Sequence, residues 1–254
     1  MYNFTDLNQQ PSVDTVLPSV AMKFNGKFIE NELEGYQTLT VSGRETIGAE
    51  LTKFDVKKGS ITTNARLPSR TIVVKYLLQE RDNNLFQKKF KQLRKLLYSV
   101  GQVEITFADE PDAFYFGQLS EMNEVPADNN FVISTFSIHC DSSYKFGTKV
   151  ETTGTVTIDT FYETPPELIE LTLSAATSIV KVTNGSQTIQ LNGNFSANDV
   201  IKIDVQVGSV TRNGVDHVYT VALNSDFENF LIKKGQTVSS PQGSLKLTAR
   251  ERWL

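Results

Sequence analysis

Residues 81–99, RDNNLFQKKFKQLRKLLYS, carry the clearest helical period in this 254-residue chain. Phe86, Phe90, Leu93 and Leu97 recur at spacings of four, three and four, which puts them on one stripe. Asp82 or a neighbouring Asn can cap the start, and Gly101 lies just past the end. A helix with one apolar face must bury it against another element, and the rest of the sequence offers mainly strands, so a sheet must receive it. The expected class is mainly β, a β-rich α+β chain with one amphipathic helix. Lys88, Lys89, Lys91, Arg94 and Lys95 make the remaining surface of the helix basic. A solvated face is the first expectation for it, an acidic protein partner the second, and phosphates a third.

The strand signals are local. MKFNGKFI reads strand, Asn25-Gly26, strand, because a type I′ turn needs positive φ at both central residues and Asn and Gly tolerate it. The first twenty residues, rich in Asn, Gln, Ser and Pro, read as an extended arm. From Leu39 to Arg70, short β-prone pieces alternate with Gly43, Gly48, Gly59 and Pro68; a weakly ordered stretch of this length inside a compact domain usually has a function. TIVVKYLLQ then reads as a buried strand. QVEITF places Val103, Ile105 and Phe107 on one face, and AFYFGQLS is aromatic and β-prone. Between them, Asp109, Glu110, Pro111 and Asp112 are turn-forming residue types, so a hairpin is expected and adjacent solvated acids are a poor catalytic pair.

After Gly147 nearly everything is strand punctuated by turns, which sets a boundary near 148 and two domains, 1–148 and 149–254. Asn184-Gly185, Asn192-Gly193 and Asn213-Gly214 punctuate the second, and their regular spacing predicts an antiparallel β-sandwich.

Composition removes several functions. Cys140 is the single cysteine, which excludes an intrachain disulfide and a cysteine-cluster zinc site, and it is expected to be a small buried apolar residue. His139 and His217 stand far apart without neighbouring ligand types, so neither a metal site nor a Ser-His-Asp triad has its components, and no cofactor is expected. Walker, GxGxxG, HExxH and GxSxG signatures do not occur. The net charge is −4, with 17 basic against 18 acidic residues in 1–150 and 8 against 11 in the remainder, so neither half has a nucleic-acid binder's balance. No apolar run approaches the roughly 18 residues that cross a bilayer. MYNFTDLNQQ lacks the shape of a secretory signal, so a soluble protein beginning near Met1 is expected. Two lesser readings stay open: sugar stacking on Tyr162, Tyr219 or Trp253 of the sandwich, and a glycosidase built on Asp226 and Glu228.

The order of these features resembles one family. An early strand-Asn-Gly-strand is followed by Gly43-Arg44 and a long loop, Lys57-Lys58-Gly59 before a strand opened by LPSR at Arg70, and the helix. Next come the turn motif of Phe107, Asp109, Glu110 and Pro111 with Tyr115 and Gly117 behind it, FSIHCDSSYKFGTKV, DVIKIDV, the RNG turn and NFLIKKGQTV. From about Met22 to Leu254 this looks like the distal tail protein (Dit) family of siphophages. The resemblance implies a first domain that forms a homohexameric ring between tail tube and baseplate or tail tip, and a second that is a galectin-like β-sandwich facing outward. It implies that the Asp109–Pro111 turn is shape rather than chemistry, and that Gly43, Arg44, Lys57, Lys58, Gly59 and Arg70 belong to a loop reaching the neighbouring subunit. Tail tube protein, a tail-associated lysin or tail-fibre hub and other baseplate proteins are the implied partners. DNA would pass through the lumen without specific binding, no membrane would be involved, and the virion would be assembled in the bacterial host cytoplasm. The chain lacks the large insertions that hold sugar-binding modules in some members, which weakens the alternative of a carbohydrate-binding module contacting the host surface.

Overall fold

The helix and its cap form as the sequence dictates. α2 (Asn83–Leu97) is capped by the Asp82 carboxylate, which accepts the Leu85 N–H at 2.9 Å, and Phe86, Leu93 and Leu97 are fully buried. The structure is a computed structural model that describes residues 17–45, 48–125, 130–159 and 163–254. The chain divides into two compact units between Lys145 and Phe146. The expected N-terminal arm lies mostly outside the described residues.

In the first unit, β1 (Met22–Phe24) turns through Asn25 (φ 49°) and Gly26 (φ 81°) into β2 (Lys27–Phe28) and a single helical turn, α1 (Ile29–Glu32). β3 (Tyr36–Ser42) follows, then β4 (Glu50–Asp55), β5 (Ser60–Arg66) and β6 (Arg70–Gln79). After α2 come β7 (Val103–Phe107), β8 (Glu110–Met122) and β9 (Phe131–Cys140). β6 is the central strand of an antiparallel sheet, with β3 on one side and β9 on the other. It is buried on one face only: Ile72, Val74, Tyr76 and Leu78 point inward, while the residues between them are partly or largely exposed. Tyr76 stacks on Tyr36 at 5.6 Å and meets Phe136 at 5.6 Å, so one aromatic column joins three adjacent strands.

β8 serves two sheets. Its first part pairs with β7, which also pairs with β1, and its last part pairs with β9. Gly117 lies where β8 passes from one to the other: a Cβ there would stand 2.7 Å from Ile138 Cγ2, 2.8 Å from Cys140 Sγ and 2.9 Å from the His139 carbonyl oxygen. Glycine is needed because two strands cross close together at that point. The β7–β8 turn is shorter than the sequence suggests. Phe107 pairs directly with Glu110, leaving Ala108 and Asp109 as the turn, while Glu110, Pro111 and Asp112 are already strand. Pro111 falls in the stretch where the β7–β8 register shifts, a place where a missing N–H costs little.

The stretch expected to be weakly ordered, Leu39 to Arg70, is largely regular. β4 and β5 form an antiparallel hairpin closed by Val56–Gly59, with Gly59 at φ 96°. Its alternation is hard to read in the sequence because neither face is buried; every residue of both strands is exposed.

The second unit contains β10 (Lys145–Thr152), which begins at the last residue of the first, then β11 (Leu168–Leu173), β12 (Thr177–Asn184), β13 (Gln187–Phe195), β14 (Val200–Asp204), β15 (Ser209–Arg212), β16 (Val215–Asp216), β17 (Val238–Ser239) and β18 (Gly243–Trp253). One sheet runs β16-β15-β14-β11-β18-β10 and the other β13-β12-β17. Ile169 and Leu171 of β11, Val180 and Val182 of β12, Ile189 and Leu191 of β13, and Leu247 of β18 are fully buried in one core between them, which makes this unit a β-sandwich.

Asn213 (φ 50°) and Gly214 (φ 84°) form the expected turn, and the Asn213 side chain also donates to Asp199 at 2.8 Å. The other two Asn-Gly pairs differ from expectation. Asn184 pairs with Gln187, so the turn is Gly185–Ser186. Asn192-Gly193 lies inside β13, where Gly193 approaches the Phe195 ring and Asn192 pairs with Ile179 beside a bulge.

Gly117→Ala is expected to destabilise the protein by roughly 1–3 kcal/mol in urea unfolding, because the added methyl meets backbone as well as side chains. A loss below about 0.5 kcal/mol would show that β8 and β9 part easily at this point.

Candidate functional site

Most of the residues singled out in the sequence meet in one place. Arg44 donates both terminal nitrogens to Asp109, Nη1 to Oδ1 at 2.8 Å and Nη2 to Oδ2 at 2.7 Å, and its guanidinium lies 4.8 Å from the centre of the Phe107 ring. This is a planar fork on a carboxylate, backed by an aromatic face. Glu110 gathers the next contacts: Lys145 Nζ reaches Oε1 at 2.8 Å, the Tyr115 hydroxyl donates to Oε2 at 3.0 Å, and Arg44 Nη1 is 3.8 Å from Oε2. Lys145 also pairs with Glu45. Three cations, Arg44, Arg70 and Lys145, thus face three carboxylates, Glu45, Asp109 and Glu110.

Arg70 closes the arrangement from the other side. It is 4% exposed, and its guanidinium donates to the Ser143 carbonyl at 2.6 Å from Nη2, to the Gly43 carbonyl at 3.3 Å from Nη1, and to the Arg44 carbonyl. The Ser143 hydroxyl donates in turn to the Pro68 carbonyl. Gly43, at φ 87°, stands so close to the Thr71 carbonyl that a Cβ would overlap it. The chain entering the β4–β5 hairpin and the chain leaving it are therefore fixed to the same short segment, Ser143–Lys145.

Electrostatics follow the contacts. The Arg44 hydrogen bonds hold the Asp109 carboxyl below the ordinary carboxylate range, and the Lys145 contact lowers Glu45 in the same way. Burial, with Glu110 beside it, pushes the Tyr115 hydroxyl upward, so it stays protonated and donates. Asp109 and Glu45, held ionised in this way, carry structure. Among the described residues no group of three metal-ligating side chains occurs.

Arg44 and Arg70 hydrogen-bond within their own chain, and Lys57, Lys58 and Gly59 sit at the exposed hairpin tip. The hairpin carries apolar side chains in the open: Phe54 is 64% exposed, its cross-strand partner Ile61 57%, and Leu51 46%. Lys145, Glu45 and Ser143 were not singled out in the sequence; a lysine between two aromatics in a strand-like run, Tyr144-Lys145-Phe146, was the available signal.

Two family models match in succession: the phage tail protein RIFT-related domain over residues 27–140, and the siphovirus-type tail component, C-terminal domain, over residues 159–253. The distal tail protein of Bacillus phage SPP1 is 25% identical over 205 residues, which is 74% of this chain and 79% of that protein. The chain belongs to the siphophage distal tail protein family. It is a structural component of the phage tail, a virion protein of the tail tip. The crystal structure of SPP1 Dit, described as a paradigm of hub adsorption apparatus in phages infecting Gram-positive hosts, has the same fold, with a TM-score of 0.78 at 21% identity over 93% of this chain and 100% of that one. The phage P2 baseplate in its activated conformation with Ca contains a more distant likeness, with a TM-score of 0.50 at 10% identity over 85% of this chain and 90% of that one.

The remaining candidates are dispersed. Tyr162 lies outside the described residues, Trp253 is half-buried, and Tyr219 is exposed beside His217. The Asp226 carboxylate accepts the Thr188 N–H at 2.9 Å and so holds its loop against β13, while Glu228 is exposed. Cys140 is buried, and burial pushes its thiol up to about 12.

Asp109→Asn is expected to cost about 0.5–1 kcal/mol at neutral pH, since the pair remains partly open to water. A lowered carboxylate contributes stability that is complete above its ordinary value near pH 4 and is lost as pH falls through the lowered one. The difference between wild type and Asp109→Asn in urea melts should therefore shrink toward about pH 3; a difference unchanged across that range would refute the assignment.

Proposed function

We propose that this chain assembles with five further copies into a ring at the distal end of the tail, joining the tail tube to the baseplate or tip and leaving a lumen through which DNA passes. The observation that supports this reading is the β4–β5 hairpin. Among the described residues it pairs only within itself; it displays Phe54, Ile61 and Leu51 to solvent and is anchored at its base by the ion cluster, which is how a rigid arm for a neighbouring subunit would be built. The role is non-enzymatic. Its partners are a tail tube protein, a tail-associated lysin or tail-fibre hub, and other baseplate proteins, to which the second unit, a galectin-like sandwich, offers docking surface. The net charge of −4 suits a lumen that lets DNA slide without holding it.

Light scattering with negative-stain imaging tests the ring. A mass six times the chain's 28.4 kDa is expected, with the Phe54→Asp/Ile61→Asp double variant shifted toward single subunits. Wild-type protein that stays single when mixed with its natural tail neighbours would overturn the reading.

A carbohydrate-binding sandwich is the second reading, favoured by one observation: Tyr219 is 76% exposed, with its ring 5.3 Å from that of His217. A glycan array decides it. Binding lost in Tyr219→Ala would support it, and no glycan bound by wild type would remove it.

A further inference from the structure

The basic face of α2 is not uniformly solvated. Lys89 is neutralised by Glu80 at 2.6 Å, but Lys88, Lys91, Arg94 and Lys95 are exposed and form no ion pair among the described residues. Lys91 lies three residues from both Lys88 and Arg94 and four from Lys95, so like charges repel along one stripe. No acidic residue occurs anywhere in α2 to relieve them. Arg94 and Lys95 are near the C-terminal end, where the helix dipole favours cations; Lys88 and Lys91 lack that explanation.

Beside this stripe runs a groove between α2 and the end of β8. Its volume, about 840 Å³, is far more than an ion needs. Half-buried Phe90, Leu119 and Met122 provide an apolar floor, Lys91, Arg94 and Lys95 form one rim, and Glu124 is the one carboxylate in the lining, so cations predominate three to one.

We propose that this groove docks an acidic, amphipathic segment of another tail protein, its apolar side chains on Phe90, Leu119 and Met122 and its carboxylates against the cationic rim. Charge complementarity selects the occupant: four unpaired cations over two helical turns match carboxylates spaced along one side of a segment. The apolar floor favours a polypeptide over a nucleic-acid backbone, which would leave those side chains uncovered. The identity of the partner as a tail protein rests on the tail-hub reading, whereas the site itself does not involve the β4–β5 hairpin.

Zero-length carbodiimide coupling on intact tails, read by mass spectrometry, is the test, because it joins a lysine to a carboxylate only when the two are already in contact. The Lys89–Glu80 pair is the internal control. Amide links from Lys88, Lys91 or Lys95 to Asp or Glu of a different tail polypeptide are expected. The Lys91→Glu/Arg94→Glu/Lys95→Glu variant should still form the ring by light scattering, yet enter tails at least tenfold less well. The proposal is overturned if the control couples while these lysines do not, or if they couple only to other copies of this chain. It is also overturned if the variant enters tails normally, or if short duplex DNA binds the wild-type stripe and not the variant. Loss of the ring in wild type would strike the ring reading alone.

Discussion

The first unit depends on a closed set of charges. Arg44, Arg70 and Lys145 come from three separate parts of the chain, and Glu45, Asp109 and Glu110 face them across less than a side chain's length. Each ion pair taken alone would contribute little, because several of the carboxylates are partly in water. Their value is geometric. Arg70 cannot reach the Gly43, Arg44 and Ser143 carbonyls unless the strands on both sides of the hairpin are in register, so the cluster fixes how the hairpin leaves the body.

Rigidity in that position would serve the proposed ring. A subunit that closes a symmetric assembly must present its contact surfaces at a fixed angle, since a few degrees of error per copy accumulate around the circle. A long loop on a flexible base would lose entropy at every contact, whereas a prefolded hairpin on an anchored base has lost most of it during folding. The carboxylates of the Asp109–Glu110 turn, read in the sequence as shape and not chemistry, are committed to holding the base of the hairpin.

How much was legible in the sequence depended on whether the determinant was local. α2 could be read because its period, its Asp82 cap and its trailing Gly101 lie within about twenty residues of one another. The Asn25-Gly26 and Asn213-Gly214 turns were legible for the same reason. Asn192-Gly193 does not turn the chain because the dipeptide lies within β13, opposite a register shift in β12, and only tertiary pairing distinguishes that setting from a hairpin turn. The hairpin from Glu50 to Arg66 has no buried face and therefore no alternation to detect. Lys145 and Glu45 are a hundred residues apart, and nothing in either neighbourhood announces the other.

The exposed hairpin also has consequences for the single subunit. Among the described residues no third strand pairs with this ribbon, and with bare Phe54 and Ile61 it is a template onto which a stray strand could add. The chain carries its own deterrents: the irregular register at Thr52 and Lys53 twists the ribbon, and Lys57 and Lys58 place repelling charges at its end. Such features slow indiscriminate stacking while leaving the side-chain face free, so the arm offered to the proposed ring also carries a guard against fibre growth.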